Sequence, residues 1–236
     1  MNAIFAENLN KEYSGKQILS DLNLKVKSGD IYGLVGLNGI GKTTLIRILL
    51  GISAADSGRI MLLDTENIKR KLRKKICYLP EKFNPSQELT GKELIKILGR
   101  FHRSNIEAKE IGKWCERFEF DTDYLNKKIR NYSKGMVQKI GLISTFITNA
   151  KLFILDEPMS GLDFRARNIL KEEIQLLKKK GATIFFTSHV LSDINDLCDN
   201  VGLLNDGRLI FEGSLENLKK KHKNIETAVI NTISNK

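Results

Sequence analysis

Eight consecutive residues carry the plainest chemistry in the chain: Gly36-Leu37-Asn38-Gly39-Ile40-Gly41-Lys42-Thr43 matches the pattern G-x-x-x-x-G-K-[ST] in full. Glycines at such positions let backbone N–H groups turn inward around phosphates with no Cβ in the way. A helix opening near Lys42 would add its positive end. The Lys42 ammonium would then sit on the β- and γ-phosphates, and the Thr43 hydroxyl could ligate Mg²⁺. Thr44 offers a second hydroxyl on the α-phosphate side. An apolar run precedes the loop and helical patterning follows it, which is the context the motif requires. The segment implies a nucleoside-triphosphate site.

A second cluster lies at Lys151-Leu152-Phe153-Ile154-Leu155-Asp156-Glu157-Pro158, an apolar strand ending in two acids. Asp156 is placed to hold Mg²⁺ through water, and Glu157 to polarise an attacking water as general base. Two acids at a strand end are as often structural as catalytic. Downstream of a complete phosphate loop the catalytic reading prevails.

These residues need a scaffold that brings strand ends together. Strand-like runs occupy residues 3–9, 22–26, 31–35, 59–63, 76–79, 152–155, 183–187, 201–204 and 209–212. Helical patterning covers 42–50, 91–101, 106–118, 134–148, 164–179 and 189–197. The runs at 31–35, 152–155 and 183–187 are almost wholly apolar, as strands covered on both faces of a parallel sheet are. Their C-terminal ends should therefore carry the chemistry. Between residues 88 and 149 helix follows helix, and Thr90-Gly91-Lys92-Glu93 has the spacing of a capping box.

Composition narrows the setting. The 236 residues are 41% hydrophobic and 28% charged, and no run approaches the roughly 18 apolar residues of a membrane span. No basic segment followed by an apolar core marks a secretory signal, so the expectation is an intracellular protein whose membrane contact runs through a partner. Cys77, Cys115 and Cys198 fit no metal-ligand spacing and read as isolated reduced thiols. The net charge of +11 is concentrated at residues 69–75 and 219–223. Solvated helix faces, an anionic membrane surface and nucleic acid all accommodate such runs. Nothing aromatic is interleaved with them to stack on bases, so nucleic acid is not expected.

The ordered series of motifs resembles the nucleotide-binding subunit of an ABC transporter over nearly the whole chain. Tyr132-Ser133-Lys134-Gly135-Met136 stands where that family has its LSGGQ segment and is similar to the form seen in drug- and small-molecule exporters. The resemblance implies an α/β fold: a P-loop NTPase core with a mainly parallel sheet, an N-terminal antiparallel β region and an inserted α-helical subdomain. It further implies one domain over residues 1–222, with a RecA-like core at 1–87 and 150–222, helices at about 88–149 and a tail at 223–236. Ser133 and the N–H groups of Gly135 and Met136 would complete the ATP site of the opposite subunit. Tyr13 would stack on adenine, Glu81 stands where glutamine is usual and could reach Mg²⁺, Asp163 lies in the loop between the two sites, and His189 would contact the γ-phosphate and orient Glu157.

Taken alone, several of these residues have plainer roles: Ser133 as a helix cap, Tyr13 as packing, Asp163 as a turn residue and His189 as a structural histidine. Taken together, they imply ATP and Mg²⁺ as ligands, ATP hydrolysis in a dimer (a homodimer is expected), and a separate transmembrane permease docked on residues 80–98. The protein would then lie at the inner face of the cell membrane and drive export. The competing readings are a soluble ABC-type ATPase acting on ribosomes or nucleic acid, and a non-catalytic ATP-binding regulator.

Overall fold

The computed structural model describes residues 1–66, 69–102, 106–221 and 227. Two sheets organise the chain. A three-stranded antiparallel sheet has the order β2-β1-β4, formed by Lys16–Lys27, Asn2–Tyr13 and Ser57–Leu62. A six-stranded sheet has the order β5-β6-β7-β3-β8-β9, formed by Ile76–Leu79, Leu152–Leu155, Thr183–Ser188, Ile31–Val35, Asn200–Asn205 and Arg208–Ser214. All its neighbours are parallel except β9, which returns antiparallel on β8.

The apolar strands alternate between two cores, as the two-residue period of a strand requires. Phe153 and Leu155 of β6 enter one core together with the helices α3 (Gly91–His102), α4 (Ala108–Arg117), α5 (Lys134–Phe146) and α6 (Phe164–Lys179). Leu152 and Ile154 enter the other, against α1 (Lys42–Leu49) and the antiparallel sheet. Phe146 at the end of α5 meets Phe153 edge-on at 5.7 Å, so the helices between β5 and β6 share the core of the sheet.

The sequence places these elements closely, with differences that have local causes. β1 and β2 run well beyond residues 3–9 and 22–26, because Ser14 and Gly15 both take positive φ and close a two-residue hairpin that pairs Tyr13 with Lys16. The polar tips of these strands lack the apolar alternation that would mark them. The helix expected from residue 189 starts at Leu191 as α7 (Leu191–Leu197), because Ser188 Oγ accepts from Val190 N at 3.0 Å and keeps His189 in a turn. The capping box forms: Glu93 N donates to Thr90 Oγ1 at 3.2 Å and Thr90 N to Glu93 Oε2 at 2.8 Å. Two short helices went unread, α2 (Arg70–Arg73) in the first basic run and α8 (Leu215–Lys221) in the second. The expected tail at 223–236 lies outside the described residues save Thr227. Among the described residues no helix is long and apolar enough to cross a membrane.

Candidate functional site

Because β5, β6, β7 and β3 are parallel neighbours, their C-terminal ends lie side by side. Val35 pairs with Ser188, and Leu155 with both Phe186 and Leu79. The residues that follow are Gly36, Glu81, Asp156-Glu157 and His189, so four separate segments of sequence converge on one edge of the sheet.

A cavity of about 370 Å³ opens there, lined by Asn38, Gly39, Gly41, Lys42, Thr43 and Thr44 of the loop, with Tyr13, Ile18, Glu81, Lys82, Asp156 and Glu157 around them. The loop geometry demands glycine at its two ends. A Cβ on Gly36 would stand 2.9 Å from Leu204 O, and Gly41 takes φ 115 within 3.1 Å of where Ile18 O would meet a side chain. Gly41 is the N-cap of α1, and no side chain caps that helix. Its leading N–H groups are therefore free of a side-chain acceptor at the cavity floor, where an anion would take them.

Lys42 is 6% exposed. Its Nζ donates to Gly36 O at 2.6 Å and lies 3.2 Å from Glu157 Oε1. Glu157 Oε1 is buried and lacks a hydrogen bond, and the ion pair with Lys42 is its close contact. Glu157 Oε2 meets His189 Nδ1 at 2.9 Å. The general-base candidate is thus held from both sides, by an ammonium and by an imidazole. Glu157 also takes φ 47, a conformation costly for a non-glycine residue.

Thr187 secures that conformation. Its Oγ1 accepts from Glu157 N at 2.9 Å and donates to Asp156 Oδ1 at 2.7 Å. Asp156 Oδ2 in turn accepts from Thr43 Oγ1 at 2.9 Å, which ties β6 to the start of α1. Burial, and then the nearby Asp156 carboxylate, push the Tyr78 phenol up to about 12. Thr43, Asp156 and Glu81 all line the cavity and offer only oxygen, the donor type Mg²⁺ takes. Among the described residues no group of three or more His, Cys, Asp or Glu could hold a metal unaided. The set fits Mg²⁺, which keeps much of its shell as water and substrate phosphate.

The remaining expected residues fall in two places. Tyr13 lines the cavity, its hydroxyl 3.0 Å from Ser53 Oγ and the Lys11 ammonium 5.0 Å over its ring. Gly36, Leu37 and Ile40 belong to the loop but not to the cavity lining, and Leu37 is exposed. Ser133, Gly135 and Met136 do not line the cavity either; Ser133 caps α5 by accepting from Met136 N at 3.2 Å. Asp163 caps α6 in the same manner, accepting from Ala166 N at 2.8 Å. Thr187 and Lys82 were not anticipated. The hydroxyls of Thr187 and Ser188, closing a buried strand directly after Ile184, Phe185 and Phe186, are the signal that would have found the first.

The family model described as "ABC transporter" matches residues 19–160. An uncharacterized ABC transporter ATP-binding protein of Synechocystis sp. is 38% identical over 84% of this chain and 56% of its own length. The daunorubicin resistance ATP-binding protein DrrA3 of Streptomyces coeruleorubidus is 33% identical over 92% of this chain and 70% of its own. The chain thus spans little more than half of the first of these relatives. A solved structure of an ATP-binding subunit of an ABC transporter superposes with a TM-score of 0.89 at 25% identity, covering 98% of this chain and 99% of that one. The chain belongs to the ABC transporter family, and within it to the ATP-binding proteins.

Proposed function

We propose that the protein binds and hydrolyses ATP in a site completed by a second copy of the chain, and that this cycle powers a separate membrane permease that exports its cargo. The observation that carries the reading is Glu157, held between Lys42 and His189 at the wall of the phosphate-loop cavity. The glycine loop and the uncapped start of α1 receive the phosphates, and Lys42 moves from Glu157 onto the β- and γ-phosphate oxygens. Thr43, Asp156 and Glu81 would hold Mg²⁺, which when bound supplies positive charge to those oxygens. Released by Lys42, Glu157 takes a proton from the attacking water while His189 Nδ1 keeps its carboxylate aimed. Tyr13, with Lys11 over its ring, offers an aromatic surface to adenine.

The Ser133 segment does not line its own cavity, and Ser133 Oγ accepts from Met136 N at the start of α5, so we assign this helix start to a nucleotide held by another copy. The structure around residues 91–146 fits a helical subdomain inserted between β5 and β6. Beside it an apolar groove of about 210 Å³ is lined by Leu50, Ile52, Tyr78, Leu98 and Phe101, among others. It meets the stretch expected to receive the permease, residues 80–98, only at Leu98. Exposed Ile52 and Phe101 make it the surface we assign to an apolar permease segment. Such docking would hold the protein at the inner face of the membrane. The drug-resistance name of one relative supports the export direction.

The Glu157→Gln variant tests this. It should keep ATP binding, because the amide removes a charge that competes with phosphate for Lys42, while turnover falls by about 10²–10⁴-fold. An unchanged rate of phosphate release would remove Glu157 from the role of base.

A further inference from the structure

The nucleotide cavity contains a second cation that the motif does not include. Lys82 lines it together with Lys42, against the three carboxylates of Glu81, Asp156 and Glu157. Lys42 is already engaged by Gly36 O and by Glu157. Lys82 is exposed, and among the described residues it makes no ion pair of 4 Å or less. Its backbone is held on both sides. Pro80 and Pro85 stiffen the loop, and Phe83 packs so closely on α5 that a Cβ on Gly141 would stand 2.7 Å from its ring. The same two residues, Glu81 and Lys82, also line a cleft of about 610 Å³ shared with Lys134, Ser160 and Gly161. Lys82 therefore stands where the phosphate cavity meets the rest of the sheet edge. A bound triphosphate would meet one carboxylate too many if Glu81 acted without it.

We propose that Lys82 is a second phosphate-binding residue of this site: it offsets the charge of Glu81 and reads the terminal phosphate of ATP. The inference rests on the reading of the cavity as an ATP site. Equilibrium binding of a fluorescent ATP analogue, and of the matching ADP analogue, with Mg²⁺ and the full chain, tests it in Lys82→Ala, Lys82→Arg and the Glu81→Gln/Lys82→Ala double variant. The Lys82→Ala change should weaken ATP about fivefold, between an exposed ion pair and a charge-assisted hydrogen bond, and ADP by less than about twofold. Lys82→Arg should stay within about twofold of wild type, since it keeps the charge. The double variant should regain part of the ATP affinity, because the charge that Lys82 offsets is removed with it while the glutamine keeps an oxygen for Mg²⁺; the direct contact to the terminal phosphate stays lost. Unchanged ATP binding by Lys82→Ala, an equal loss for ATP and ADP, or no recovery in the double variant would overturn the proposal. A wild-type chain that binds neither nucleotide would instead overturn the ATP reading on which it rests.

Discussion

The hydroxyl of Thr187 joins two acidic residues of the site, accepting from the Glu157 backbone and donating to the Asp156 side chain. Thr187 is fully buried, so no water replaces a lost partner. Thr187→Val keeps the shape and leaves Glu157 N without an acceptor. The cost should be about 1–3 kcal/mol, most of it from that orphaned donor. For a chain of this size the thermal midpoint should drop by about 2–4 °C per kcal/mol, and Thr187→Ser should restore most of the loss. A midpoint unmoved in Thr187→Val would show that Glu157 needs no such support to hold its φ of 47. At this scale the sequence was most legible where chemistry repeats in a fixed spacing, as in the phosphate loop. It was least legible where one side chain serves a neighbouring strand. Thr187 lies 31 residues from Asp156, and only the pairing of β6 with β7 brings them together.

Among the elements, α5 links the two parts of the shared-site reading. It begins at the Ser133 cap, and about two turns further it offers the Gly141 notch to Phe83 of the loop that carries Glu81 and Lys82. Gly141→Ala sets two effects against each other. Alanine favours the helix by about 1 kcal/mol, and overpacking against the Phe83 ring costs about 1–3 kcal/mol. Global stability should therefore fall by at most about 2 kcal/mol while the loop is pushed off α5. Hydrogen exchange at residues 81–88 should speed up, with exchange in β6 unaltered. Exchange in that loop at the wild-type rate would mean that Phe83 does not anchor it. The helix itself was readable from its apolar period, and the α3 capping box from four residues. The notch was not, because a glycine inside a helix gives no sign of which ring it admits. The short α2 and α8 escaped for a simpler reason: each is at most seven residues long, and Leu72 in α2 or the pair Leu215 and Leu218 in α8 is too little of an apolar stripe to mark a helix.

For the whole molecule, the sheet order explains why residues from four distant segments meet; three apolar strands each followed by a polar turn foretold a parallel sheet with chemistry at its strand ends, but not that order. The proposed site needs a second half from another copy. Ser133, Gly135 and Met136 do not line the cavity, and in the proposed dimer each copy gives a phosphate loop to one site and an α5 start to the other. Gly135 leaves open space where a Cβ would stand, so Gly135→Asp should fold while placing a negative charge against the phosphate held by the partner copy. Phosphate release should be nearly abolished in Gly135→Asp alone and in Glu157→Gln alone. An equal mixture should recover about a quarter of the wild-type rate, because half the dimers are mixed and each mixed dimer has one intact site of two. Full activity of Gly135→Asp alone, or a mixture no more active than its two components, would contradict the shared site.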